Sequence, residues 1–182
     1  MISIFFQSIR IFLVMTLITG LVYPLTVTGL GQLLFPEQAN GSLVYKNEKV
    51  IGSILISQKT ESARLFWPRP SASDYGALPS GASNQGPTSR TLKSAIIDRK
   101  SRGLTHEMIF VSASGLDPHV SIDAAIGQLP RIVESRKLSN TEIQKLQDMI
   151  QSLIEPRDFG FLGEPRINVL KLNLKVINEF GE

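Results

Sequence analysis

At 182 residues the chain has room for one domain of ordinary size and little else. Hydrophobic residues make up 42% and charged residues 19%, with no repeat or biased tract, which excludes a disordered tail and a coiled coil. The absence of cysteine removes disulfide scaffolds, thiolate metal sites and cysteine nucleophiles, and a formal charge of +3 spread along the chain gives no basic block of the kind that nucleic acid demands.

The first element is a membrane segment. Residues 11–35 run for 25 positions without a charge, between Arg10 and Pro36-Glu37. At about 1.5 Å per residue this helix reaches roughly 37 Å, enough to cross a hydrocarbon core of about 30 Å. The stretch is longer than a secretory h-region and no small-x-small site follows it, so an uncleaved anchor is expected. Arg10 before the segment favours residues 1–10 in the cytoplasm, with 36–182 as an extracytoplasmic domain. Thr16, Gly20, Pro24, Val27 and Gly31 recur at steps of three and four and line one side with mostly small side chains. Such a face suits close helix packing in lipid; an inert anchor is the alternative. Pro24 removes a backbone donor and is expected to kink the helix.

After a turn at Ala39-Asn40-Gly41, Ser42–Tyr45 and Lys49–Ser57 read as a β-hairpin around Lys46-Asn47-Glu48. Val50, Ile54 and Ile56 on one face and Ile51 and Leu55 on the other predict a second strand buried on both sides. Residues 68–89 hold Pro, Gly or Ser at 12 of 22 positions and exclude a regular element. A loop of that length is a binding surface or disordered, and Phe66, Trp67 and Tyr75 favour an ordered one. Helices are expected from Leu92 to Arg102 and from Ile122 to Arg136, the latter capped by Ser121 and broken at Pro130. Between them Met108 to Ser112 reads as a short strand. Ser139 and Glu142 form a capping box, and Ile143, Leu146, Ile150 and Leu153 carry the helix behind it to about Ile154. Arg166–Leu172 alternates as a strand, with Asn173 capping a final helix through Phe180. The fold class is α+β: one N-terminal transmembrane helix followed by a small mixed α/β extracytoplasmic domain.

Chemistry is sparse. His106 and His119 stand at no metal-ligand spacing and read as surface residues, so no metal site is expected. Ser112 and Ser114 lie in a VSASG stretch that lacks the first glycine of a nucleophile elbow, and no catalytic residue is assigned. No GxxxxGK[ST] phosphate loop occurs. Asp117-Pro118 reads as a turn and Arg69, between two prolines, as a stiffened surface contact.

The ordered series of motifs resembles the KdpC family, the C subunit of the bacterial Kdp high-affinity potassium-transporting ATPase. The matching pieces are Ile18-Thr19-Gly20, Tyr23-Pro24-Leu25, Gln38 to Ser42, Gly52-Ser53 with Leu55-Ile56 and Gln58, and Phe66 with Arg69 to Ala72. Gly81 to Asn84, Ser112 to Pro118, Gln128 with Pro130-Arg131, Gly163 to Leu170 and Leu172-Asn173 complete them. The resemblance implies a non-catalytic subunit in the bacterial inner membrane. Its partners would be a channel-like A subunit, a P-type ATPase B subunit that hydrolyses ATP, and a small F peptide. It also implies a role in assembly and as a catalytic chaperone raising the B subunit's affinity for ATP. With ten cytoplasmic residues, no ATP site is expected on this chain itself, and no cofactor is expected to bind it directly. Thr16, Gly20, Tyr23, Pro24, Val27 and Gly31 are the expected helix-packing residues, and Arg69, Asn84, Ser114 and Asp117 the expected subunit contacts. An anchored exported enzyme or solute-binding domain using the 68–89 loop is the rival reading. A single-pass sensor would need a cytoplasmic output domain that ten residues do not supply.

Overall fold

The computed structural model describes residues 2–46 and 48–181 and divides into two units, after Ile51. In the first, α1 (Ile2–Leu17), a π-helical turn (Ile18–Val22) and α2 (Tyr23–Leu34) follow one another without a break. Ser3–Leu34 is long and apolar enough to cross a membrane, and no part of its most apolar stretch is buried within the chain. Helix thus extends before residue 11, with Arg10 its single charged side chain. Pro24 is absorbed by the π turn: the Tyr23 N–H reaches back to the Ile18 carbonyl, five residues away, instead of the helix breaking. The hydroxyls of Thr19 and Thr26 donate to the carbonyls of Met15 and Val22, at 2.7 Å each. A short α3 (Pro36–Ala39) follows, and the Asn40 amide pairs with that of Gln32 at 3.1 and 3.3 Å.

The expected hairpin is present as β1 (Leu43–Lys46) and β2 (Lys49–Ser53). Its second strand is shorter than the sequence pattern suggests and is not buried on both sides: Val50, Leu55 and Ile56 are 53, 57 and 38% exposed. The chain leaves the ladder at Ser53, whose hydroxyl accepts the Leu55 N–H at 3.1 Å and turns the backbone.

The second unit carries the core. A three-stranded antiparallel sheet runs in the order β3 (His119–Val120), β5 (Arg166–Asn168), β4 (Ile154–Glu155). Val120 and Ile154 both lie opposite Ile167, so strand alternation puts this apolar row on one face. Against it pack α5 (Ile122–Gly127), α6 (Leu129–Arg136), α7 (Asn140–Ser152) and α8 (Val169–Phe180), which contribute Ala125, Ile132, Leu146 and Leu172, each fully buried. Val169, Leu172, Asn173 and Val176 form the inward stripe of α8 at steps of three, one and three. The remaining helix, α4 (Arg90–Ser101), is capped by Ser89 and has no buried residue.

Most helix boundaries agree with the local signals. Ser121 caps α5, the chain breaks at Gln128 before Pro130, and Ser139 and Glu142 form the capping box of α7, which ends at Ser152 because Ile154 joins the sheet. Two elements differ. Where a strand is expected over Met108 to Ser112, a 3₁₀ turn at His106–Ile109 takes its first two residues, because Met108 turns into the core and Glu107 accepts the Ser121 N–H. The strand near the C-terminus stops at Asn168, which caps α8 by accepting the Lys171 N–H at 3.1 Å, so Asn173 is interior helix and not a cap. Residues 68–88 contain no helix or strand, as expected, and are tethered by buried Phe66 and by the Tyr75 hydroxyl, which donates to the Arg69 carbonyl at 3.1 Å.

Candidate interaction site

The alternation that sends Val120, Ile154 and Ile167 to the core turns His119, Glu155, Arg166 and Asn168 to the other face of the sheet. There the first three build an ion network. His119 Nε2 lies 3.4 Å from Glu155 Oε2, across β5, and Glu155 also meets Lys171 Nζ at 2.9 Å and Arg166 Nε at 3.4 Å. Arg166 holds Asp158 through both terminal nitrogens at 3.3 Å. Asp117 joins from the other side, its Oδ1 accepting the His119 N–H at 3.0 Å and its Oδ2 meeting Arg69 Nη1 at 3.2 Å. An open cleft of about 350 Å3 lies beside these groups, lined by Arg69, Glu107, Asp117, His119, Ser121 and Arg166.

Burial lowers the pKa of His119, against the pull of Glu155 and Asp117 and helped by Arg166 and Lys171. Burial alone would raise Glu155, but Lys171, His119 and Arg166 hold it below the usual carboxylate range. Glu107 is held low in the same way: burial opposes ionisation, while the Ser121 N–H and hydroxyl donate to its two oxygens at 2.6 and 3.0 Å. His119 is therefore a half-buried member of this network, not the surface residue its sequence suggests. His106 is exposed.

Of the four expected contact residues, the structure brings Arg69 and Asp117 together across 48 positions. Ser114 is exposed on the same loop as Asp117, its hydroxyl accepting the Leu116 N–H at 3.1 Å. That loop is pressed against the proline-rich one at Gly115: its φ is +72°, and a Cβ there would come within 2.9 Å of the Gly81 carbonyl and 3.0 Å of the Ser73 hydroxyl. Asn84, exposed and at φ +52°, has no hydrogen-bond partner among the described residues. On the helix, the π turn makes everything after it lag by roughly 100°, and Thr16, Pro24, Val27 and Gly31 still fall within an arc of about 80°. Gly20 lies inside the turn and Tyr23 directly follows it.

The 68–89 loop also roofs a hollow of about 510 Å3, whose walls include Lys59, Trp67, Tyr75, Arg99, Arg102 and Met108. Neither histidine lines it. A further surface has no counterpart in the sequence reading. Phe159 and Phe161 are 89 and 71% exposed on a turn closed by paired hydrogen bonds of 2.9 Å between Asp158 and Leu162. Two phenylalanines around Gly160, between charged residues, are the signal that points to it.

The family model for KdpC, described as the K+-transporting ATPase c chain, matches residues 5–178. The chain belongs to the KdpC family. A Potassium-transporting ATPase KdpC subunit from Leptospira interrogans is 44% identical over 96% of this chain and 93% of its own length. One from Methylococcus capsulatus is 47% identical over 96% and 97%, and one from Rhodospirillum rubrum 42% over 95% and 94%. Several KdpC motif residues turn out to be framework in this fold. Gln128 pairs with both main-chain groups of Trp67, at 2.7 and 3.1 Å. Arg131 stacks 3.8 Å over the Trp67 ring and donates to the Ala63 carbonyl at 2.6 Å. Asn168 ties the head of α8 to the Ile54 carbonyl at 2.8 Å.

Proposed function

We propose that the chain is the non-catalytic C subunit of a potassium-transporting ATPase in the bacterial inner membrane. Residues 11–35 cross the bilayer, residues 1–10 stay in the cytoplasm, and residues 36–182 lie outside. The small-residue face of the helix, with Thr16, Gly20, Tyr23, Pro24, Val27 and Gly31, packs against membrane helices of the A, B or F subunits. The external domain contacts the A subunit on its ion-entry side through Arg69, Asp117, Ser114 and Asn84. ATP stays on the B subunit, and any gain in its ATP affinity is a coupling free energy passed through the assembly.

The observation that carries this reading is the bare apolar helix: the most apolar stretch of Ser3–Leu34 has no residue buried within its own chain. Lipid supplies part of its cover, and close helix packing through small residues supplies the rest. A Cβ at Gly20 meets nothing within 4 Å and one at Gly31 meets only Ala39 Cβ at 3.9 Å. A β-carbon is therefore accommodated at either position, and the bulk of a leucine side chain is directed at whatever packs against that face.

The test is purification from membranes in mild detergent. The A and B subunits should accompany the wild-type chain, and the double variant Gly20→Leu, Gly31→Leu should lose them together with potassium-stimulated ATPase activity. Unchanged assembly and activity would sink the proposal. The hollow under the 68–89 loop favours one other reading, a solute-binding domain, which predicts ligand binding by the full chain with no other subunit present.

A further inference from the structure

Charge counted over the whole chain looks dispersed, but one short segment of the sequence concentrates it. Residues 90–102 hold Arg90, Lys93, Arg99, Lys100 and Arg102 against Asp98 alone, a local charge of +4 in a chain whose total is +3. The helical step of about 100° sorts them. Arg99 turns inward and donates to the Ile109 carbonyl at 2.8 Å, and Arg102 is paired with Asp98. Arg90, Lys93 and Lys100 share one flank of α4 with Ile96 and Ile97, and none of the three has an ion-pair partner among the described residues. Arg69, Arg157, Arg166, Lys145 and Lys171, by comparison, each face a carboxylate.

Nothing inside the fold explains this flank. Lys100 in the last turn complements the helix dipole, but Arg90 and Lys93 stand at the positive N-terminal end, where cations are unfavourable. The apolar side chains between them are open to solvent: Ile97 is 59% exposed, and Leu92, Ile96 and Ile97 line an open groove of about 540 Å3 with Pro87. Three cations without an ion-pair partner, grouped around one bare isoleucine, complement a surface of lipid phosphates.

We infer that α4 docks on anionic lipid headgroups, with Arg90, Lys93 and Lys100 against the phosphates and Ile97 entering the headgroup layer. The flank carries no aromatic anchor of the kind that dominates protein interfaces. A chain with a membrane-crossing helix has a lipid surface at hand.

The lack of cysteine makes the test direct. The full chain carrying Ile97→Cys and a single fluorophore is placed in vesicles of phosphatidylcholine, with or without phosphatidylglycerol, that contain a spin-labelled quenching lipid. We expect quenching in the anionic vesicles only, lost at high salt, with Lys93→Glu or Lys100→Glu each shifting the docked population roughly fivefold toward the free form. A probe at Thr91→Cys, about a third of a turn away, should stay unquenched. Three results would each overturn the inference: no quenching of the Ile97 probe, equal quenching in both vesicles, or protection from aqueous iodide without lipid quenching, the sign of a protein neighbour.

Discussion

Asn173 presents its side-chain amide to Phe66 as a neighbouring strand would: Nδ2 donates to the Phe66 carbonyl at 2.9 Å while Oδ1 accepts the Phe66 N–H at 2.8 Å. Gln128 repeats the arrangement on Trp67. The entry to the proline-rich loop is thus held by α8 and by the turn between α5 and α6, which stand in for a sheet edge, and Phe66 is fully buried in the core beside them. Backbone groups buried there have no other partner to turn to.

Asn173→Ala should therefore be severely destabilising. It strands a buried donor and a buried acceptor, each costing about 1–3 kcal/mol, so a loss of roughly 2–6 kcal/mol is expected. Trp67 is the single tryptophan, and its fluorescence reports the denaturant midpoint directly. A midpoint equal to wild type would show that the amide clamp contributes nothing. Gln128→Ala should cost less, because Trp67 is only half-buried.

Arg131→Lys tests the neighbouring clamp. The guanidinium stacks on the indole, donates to the Ala63 carbonyl and to Gln128 Oε1 at 2.8 Å, and is pushed by burial down to about 10. Lysine keeps the charge but not the planar fork or the stack. A loss of about 1–2 kcal/mol and a shifted Trp67 emission maximum are expected in the folded state. An unshifted spectrum would mean that the stacked geometry is not populated.

What the sequence reveals and what it hides follow a physical line. The capping box of Ser139 and Glu142, the Ser121 cap and the break before Pro130 are legible because each is a bargain among residues a few positions apart. Asn173 is misread as a cap because its type suits one, while the true cap, Asn168, is selected by an acceptor at Ile54, 114 positions away. Met108 to Ser112 has strand composition, yet the pull of the core on Met108 and of Ser121 on Glu107 winds its first two residues into a 3₁₀ turn and leaves the rest unpaired to any strand. Arg69 and Asp117 each stand out locally, but their pairing, and the arrival of His119 and Glu155 beside them, exists only once β3 and β4 flank β5.

That network sets the pH response. The folded-state pKa of His119 lies below its ordinary 6.5, so just below that value the unfolded chain binds the extra proton and stability falls as pH drops. Glu155 and Glu107, lowered from 4.5, contribute stability that is full above that pH and is lost as pH falls through their folded values. Two acid steps are expected in a plot of denaturation midpoint against pH, and His119→Gln should remove the upper one alone. A single step below 4.5 in the wild type would exclude a role for His119.

Asp117→Asn separates structure from contact. Asparagine retains the oxygen that accepts the His119 N–H, and the half-exposed pair with Arg69 is worth no more than about 1 kcal/mol. The midpoint should barely move. If this face touches another subunit, the yield of co-purified complex should drop well beyond that small change, and parallel small effects on both would leave Asp117 a purely internal residue.

Pro24 offers a test of the membrane face that adds no bulk. Its missing N–H leaves the Gly20 carbonyl without its usual donor, and the helix answers by opening the π turn over Ile18–Val22. Pro24→Ala restores the donor and should return the segment to uniform α-helix, rotating residues before the turn by roughly 100° relative to those after it. Thr16 would then swing from one edge of the arc that holds Val27 and Gly31 to the other, although no side chain has grown. Co-purification of partner subunits should fall as it does for the glycine-to-leucine pair, while the denaturation midpoint of the soluble domain stays fixed. Wild-type recovery of the complex by Pro24→Ala would mean that the two halves of the helix are bound independently, and that their relative rotation is not what the partner reads.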